Sequence, residues 1–285
     1  MVMDILLSGF ADEAGITIEE QMNVFEQNDI WFIEMRNVDG KHVLDCTDEE
    51  LKTLKEKMDS RGFCVSAIGS PIGKSMITDP FAPELEKFKR AVYAAKALGS
   101  RYIRAFSFYL PEGADKADYQ DEVIKRLEQM VKMAEANGLI YALENESGIF
   151  TDTIEPCRFV LERLRSKSIG LAFDPGNFIH NGVQPYPDAY STLKDFIAYF
   201  HIKDAGSGDH FVPCGEGEAN MEGLLAQAYR DGFSDFLSIE PHLGYLDTLS
   251  RAQQFTRAAN ALKNTLNKAL GTSYKAVDEK DVATK

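Results

Sequence analysis

Glu144, Asp174, His201 and Glu240 each close a short apolar run, in the order YALE, LAFD, AYFH and LSIE. If those runs are neighbouring parallel strands, ~4.8 Å apart, the four side chains can surround one point above the sheet. Three carboxylates and an imidazole gathered there repel one another and lack water. A divalent cation resolves that conflict. Oxygen-rich ligation with one nitrogen suits Mn2+ first, then Mg2+ or Co2+, and Zn2+ is compatible. A lone strand-end carboxylate is more often a cap or ion-pair partner, and a lone histidine more often a hydrogen-bonded core residue. It is the set of four at equivalent positions that points to a metal site. Within ALENES, Glu146 follows Glu144 by two residues, so an extended chain aims both at one face.

The elements that must position these residues repeat along the chain. Apolar or β-branched runs predict strands over 3–9, 30–35, 62–69, 101–108, 139–144, 169–174, 197–203 and 235–240. Amphipathic stretches predict helices over 17–28, 48–60, 81–98, 118–136, 153–166, 187–195, 220–231 and 247–270. In the fourth, Val123, Leu127, Met130, Val131 and Ala134 fall on one stripe. Eight strand–helix units in 285 residues predict an α/β fold, a closed (β/α)8 TIM barrel as a single domain over 1–270. An open doubly wound sheet is the alternative, but SGFADEAG after the first strand does not match its GxGxxG turn. Residues 271–285 read as a polar, flexible C-terminal tail.

In a barrel the strand C-termini and the loops after them build the active site. Here they carry Glu34, Arg36, Ser70 to Lys74 (SPIGK), Arg104, Ser107, Glu146, Lys203 and His242, while the strand N-terminal ends show no such convergence. Glu34 and Arg36 either pair with each other or meet substrate. Arg104, inside YIRAF, needs an acidic partner, Glu144 or Glu146. Glu146 is expected to accept from Arg104, Lys203 or a substrate hydroxyl. Lys74 reads equally as a hydroxyl or anion contact and as a solvated lysine, and His242 as a hydroxyl contact or a cap. PCGEGEAN lacks the Lys-Ser/Thr of a P-loop and is expected to fold over the site.

Composition narrows the partners. Lys and Arg total 31 against 45 Asp and Glu, a formal charge of −14, which opposes phosphate backbones and anionic lipid. The expected partner is a small-molecule carbohydrate or keto-polyol, with no nucleic acid and no membrane; a homo-oligomer is left open. Cys46, Cys64, Cys157 and Cys214 show no CxxC or zinc-ribbon spacing and suit reduced thiols of a cytoplasmic protein. The start, MVMDILLSGF, does not resemble a signal peptide.

Taken in order, FADE, IEMRNVDGKHV, SPIGK, IRAFSFY, LENESGIFTDT, FDPGN, HIKD, PCGEGEAN and SIEPH make residues 4 to 265 resemble the sugar phosphate isomerase/epimerase family with the xylose isomerase-like TIM barrel. The ligand order Glu, Asp, His, Glu matches that family's metal site. The resemblance implies a divalent-metal-dependent isomerase or epimerase of a sugar, sugar phosphate or related keto-polyol. The implied route is proton transfer through a metal-bound enediolate, with Glu144 and Glu240 as the acid–base pair. It places Glu34, Arg36, Ser70, Lys74, Arg104, Glu146, Asn177, Lys203 and His242 as substrate contacts. Asn177 stands where the ketose 3-epimerases carry histidine, and Lys203 and Asp204 follow His201 where they carry arginine, which argues against a ketohexose 3-epimerase. A lyase or dehydratase acting on a keto-sugar, keto-inositol or 3-keto-glycoside is the alternative. An AP-endonuclease-like nuclease is opposed by the −14 charge and five histidines, and a non-catalytic carbohydrate-binding subunit by the intact acid–base pair.

Overall fold

A computed structural model describes residues 5–206, 208, 210–280 and 282. The start of the strand expected over 3–9, the first residues of the domain and the last of the tail lie outside the described residues. Eight strands follow one another in chain order: β1 (Leu6–Gly9), β2 (Phe32–Met35), β3 (Cys64–Gly69), β4 (Tyr102–Ala105), β5 (Ile140–Glu144), β6 (Ile169–Phe173), β7 (Ile197–Ile202) and β8 (Phe236–Ile239). From β2 to β8 each strand pairs in parallel with the next, and β8 pairs with β1 from Leu6↔Phe236 to Gly9↔Ile239. The seam between β1 and β2 is held by one bridge, Phe10↔Glu34. The sheet is thus a nearly closed TIM barrel, a single domain as expected.

The helices form where local chemistry starts them. α1 (Ile18–Gln27), α2 (Asp48–Ser60) and α9 (Arg251–Leu270) each begin with a capping box, Thr17–Glu20, Thr47–Glu50 and Ser250–Gln253. α3 (Phe81–Leu98) ends at Gly99, whose φ of 76° suits a residue without Cβ. In α4 (Lys116–Ala136) the stripe read from sequence is the buried face, and each Val, Leu or Met on it contributes roughly 1.5–3 kcal/mol by leaving water. α5 (Ile154–Arg163), α6 (Pro175–His180), α7 (Tyr190–Leu193) and α8 (Met221–Arg230) complete the series. Among the described residues no helix is long and apolar enough to cross a membrane.

Three elements differ from the sequence expectation. The strand expected to run to 108 stops at Ala105, because Phe106 and Phe108 donate their N–H groups to Ile72 and Gly73 in the SPIGK loop. Gly73 permits that approach: a Cβ there would lie 2.2 Å from the Phe106 carbonyl oxygen. The helix expected over 187–195 is present as a run of mixed turns: Pro185–Ala189 is π-helical, Tyr190–Leu193 forms the α-turn α7, and Lys194–Phe196 is a 3-10 turn. An additional helix, α6, opens directly after Asp174, with Pro175 in its first turn and the Asp174 carboxylate accepting from Asn177 N–H; a capping aspartate followed by proline is a start signal that FDPGN carried. Beyond Gly271, Asn267 and Asn260 exchange side-chain hydrogen bonds with the backbone of Tyr274 and Val277.

Candidate metal centre

Strand alternation builds the site. Tyr102, Ala142, Ala172 and Tyr199 form part of an apolar cluster inside the barrel. Two residues further along the same strands, on the same face, come Arg104, Glu144, Asp174 and His201. Glu240 follows Ser238 in the same way on β8. Glu144, Asp174, His201 and Glu240 are all buried, and one donor atom from each lies within 4.8 Å of the others.

The imidazole fixes the centre of this group. His201 Nδ1 is 3.2 Å from Glu144 Oε1 and 3.8 Å from both Asp174 Oδ2 and Glu240 Oε2. On the other side of the ring, Nε2 is 3.2 Å from Glu34 Oε1. Glu34 also accepts from the Tyr199 hydroxyl at 2.9 Å and the Ser238 hydroxyl at 2.6 Å. With Nε2–H donating to Glu34, Nδ1 is the ring atom left facing three carboxylate oxygens, the one that would offer its lone pair to a cation. His201 Nδ1 and Asp174 Oδ2 are buried with no hydrogen-bond partner. Lys203 Nζ is 2.9 Å from that aspartate oxygen but off the direction of a hydrogen bond, so the contact is one of charge. Two orphaned donors among converging carboxylates fit a divalent cation.

Charge crowding shows in the titration of the group. Burial pushes the His201 pKa down, but Glu144 and Glu34 hold it well above the ordinary imidazole value. Burial also raises Glu144, yet His201 and Arg104 carry its carboxyl down to about 2. Asp174 moves up to about 7, since burial outweighs the attraction of Lys203.

Each glutamate points one oxygen at the centre and the other at an arginine. Glu144 Oε2 is 3.3 Å from Arg104 Nε, and Arg104 donates onward to the Ser70 carbonyl at 2.9 Å. Glu240 Oε1 lies 3.3 Å from both Arg36 Nη1 and His242 Nε2. Arg36 is held in turn by Asp12 at 2.9 Å and Glu13 at 3.1 Å. Both guanidiniums lie over the buried ring of Phe10, 4.6 and 5.4 Å from its centre. Glu13, Glu240 and His242 form a second close grouping, but Arg36 already sits against an oxygen of each glutamate.

The remaining expected residues divide into three groups. Arg36, Ser70, Lys74, Arg104, Glu146 and His242 line a cleft of about 190 Å³ that also reaches Glu144 and Glu240. Lys74 Nζ donates to Glu146 at 2.8 Å, so Glu146 pairs with the SPIGK loop and not with Arg104 or Lys203. Glu34 and Arg36 do not pair with each other: the first lies beneath His201, the second above Phe10. Glu34, Asn177 and Lys203 do not line this cleft; each lies against a residue of the donor set. Asn177 Nδ2 donates to Glu144 Oε1 at 3.1 Å and to the Asn145 carbonyl at 2.9 Å. Lys203 is buried against Asp174 and Glu240.

Sequence reading missed four supports. Phe10, the first residue of FADE, carried no polar signal. Asn145 ties the ends of β5 and β6 by bonding both the N–H and the carbonyl of Asp174. The Asp204 carboxylate accepts N–H bonds from Ala205, Gly215, Gly217 and Ala219, and so folds PCGEGEAN around itself. Asn37–Val38 and Lys41–His42 pair as a hairpin around Asp39-Gly40, bringing Asn37 and His42 to the cleft; an Asp-Gly pair was the available signal.

Residues 26–265 match the family model described as xylose isomerase-like TIM barrel. Among solved structures, a xylose isomerase domain protein from Planctomyces limnophilus is 20% identical, with 95% of this chain and 99% of that chain covered at a TM-score of 0.73. The IOLI protein, crystallised with a binding zinc atom, is 18% identical over 94% and 100% at 0.79. A probable 3-DHS dehydratase, AsbF, from Bacillus anthracis is 18% identical over 91% and 98% at 0.74. At these identities the structural likeness speaks for the fold.

Proposed function

The chain belongs to the xylose isomerase-like TIM barrel family, and from that premise we propose that it is a divalent-metal-dependent isomerase or epimerase of a keto-polyol. The observation that carries this reading is the mirrored pair of glutamates. Glu144 and Glu240 each present one oxygen to the point faced by His201 Nδ1, while an arginine holds the other. Both open onto the same cleft.

Glu144, Asp174, His201 and Glu240 are the proposed ligands of one ion, Mn2+ first, with Mg2+, Co2+ and Zn2+ accommodated by the same donors. Such an ion supplies Lewis-acid polarisation of a carbonyl and its neighbouring hydroxyl. The chain's own residues do the rest. Glu34 fixes the tautomer and tilt of His201 through Nε2, and Asn177 and Arg104 hold Glu144 from both sides. One glutamate removes the proton from the carbon beside the carbonyl. The other returns it from the opposite side, or the first returns it to the neighbouring position. Lys74, Glu146 and His242, at the cleft wall, bind hydroxyls.

The charge pattern favours an uncharged polyol over a phosphate ester. Among the described residues lining the cleft, Arg36, Lys74 and Arg104 each already lie against a carboxylate, so a phosphate would have to break a pair to gain a partner. The −14 charge gives no support for nucleic acid or membrane partners.

A lyase shares the first step, removal of the same proton, and then expels a leaving group; the likeness in fold to the B. anthracis dehydratase favours keeping it as the second reading. Incubating the Mn2+-loaded protein in D2O with ketohexoses, ketopentoses and keto-inositols, followed by NMR, separates the two. Deuterium beside the carbonyl with a saturated product is the expected result. An unsaturated product supports the lyase. Exchange that persists in Glu240→Gln overturns both.

A further inference from the structure

Lys203 contacts the donor set but does not line the cleft. Its ammonium is 2.9 Å from Asp174 Oδ2 and 2.8 Å from Glu240 Oε2. These are the same two oxygens that face His201 Nδ1. Lys203 is 2% exposed, and its surroundings leave it little other place to go. The stem runs against Gly176, where a Cβ would lie 2.9 Å from Lys203 Cγ. The ring of Phe211 covers the ammonium at 4.5 Å. A buried lysine aimed at two ligand oxygens, walled on one side by a glycine and roofed by an aromatic ring, is not placed to meet substrate.

We propose that Lys203 is the built-in counter-cation of the metal pocket: it neutralises Asp174 and Glu240 in the metal-free protein and weakens the pocket's hold on a divalent ion. The inference rests on the metal reading above. A unit positive charge this close to two ligand oxygens opposes a second cation at the same oxygens, so the ion is held exchangeably. Without an ion, the same charge keeps three crowded carboxylates from driving the strand ends apart. Lys203 is therefore a positioning residue, acting through Asp174 and Glu240.

Lys203→Met keeps the length of the side chain and removes its charge. Two quantities are read on wild type and variant: the melting temperature with and without Mn2+, and the Mn2+ dissociation constant by competition with a chelating indicator. The variant is expected to melt several degrees lower without metal, to gain a larger Mn2+-induced shift, and to bind Mn2+ about tenfold or more tightly. A purely structural role predicts weaker binding, and a substrate contact predicts unchanged binding with a raised KM; either result overturns the proposal. If Lys203→Met does not fold without metal, Lys203→Met/Asp174→Asn decides, because lowering the negative charge restores folding only if charge balance was the cause. Failure of that rescue also overturns it. If wild type binds no Mn2+, the metal reading itself fails, an outcome distinct from unchanged affinity in the variant.

Discussion

The barrel interior holds two layers made by the same strands, and they differ in almost everything else. The lower layer is Ala67, Tyr102, Ala142, Ala172, Tyr199 and Phe236, apolar side chains packed in contact. The upper layer, two residues on in four of those strands, is Arg104, Glu144, Asp174 and His201, joined by Glu34 and Glu240. The same strands run through both, with register shifts only at Ile33/Glu34 and Leu171/Ala172, so the contrast comes chiefly from side-chain choice at successive inward positions. Below, the layer is held together by removal of apolar surface from water. Above, charge is gathered at a cost that only opposite charge, hydrogen bonds or a metal offsets. Tyr199 joins the two: its ring packs tilted against Tyr102 in the lower layer, centroids 5.2 Å apart, while its hydroxyl donates to Glu34 in the upper one.

If this division is right, substitutions in the upper layer remove chemistry and those in the lower layer remove stability. The largest effect is expected from Glu240→Gln. It leaves the fold intact while proton exchange on the best keto-polyol falls by about 10² to 10⁴-fold, the share of a positioned acid–base group. Next comes Phe236→Ala below, which is expected to cost about 3–5 kcal/mol in denaturant unfolding while turnover per folded molecule stays near wild type. A loss of turnover without loss of stability there would erase the distinction between the layers.

How far the two layers were legible in the sequence follows from what each needs to announce itself. The donors ended apolar runs, so a charged residue after YALE, LAFD, AYFH and LSIE marked both strand and site. The supports gave weaker signs. Glu34 looks like any strand-end carboxylate, and only the tertiary position of His201 makes it an imidazole partner. Lys203, two residues from a donor, carries no sequence sign that it lies buried against Asp174 and Glu240, because sequence does not say which side of a barrel strand a loop will cover. Glu146 found Lys74 because the SPIGK loop, held by Phe106 and Phe108, folds toward it. The fold itself was readable from period and length. Its misses were the end of β4, where hydrogen bonds to the SPIGK loop take over from the ladder, and α6, whose Asp-Pro start follows directly on a strand.

Smaller effects sharpen the comparison within the upper layer. Glu34→Gln keeps a side chain under His201 but loses the charge that orients it. Mn2+ affinity is expected to fall about 10- to 100-fold, as for other partners of metal-bound histidines, measured by indicator competition. Lys74→Ala removes a half-exposed pair with Glu146 at the cleft rim. It is expected to raise KM a few-fold with kcat and Mn2+ affinity unchanged, and a drop in Mn2+ affinity would extend the metal's surroundings to the rim.

The proposed metal centre turns on His201 Nδ1 and the three carboxylates around it. Titration of the metal-free protein with Mn2+, followed by electron spin echo spectroscopy of the loaded sample, reads both stoichiometry and ligand type. The expected result is one ion per chain carrying the 14N coupling of one imidazole, with the coupling lost in His201→Ala. No bound ion, or an imidazole coupling that survives in His201→Ala, would contradict it.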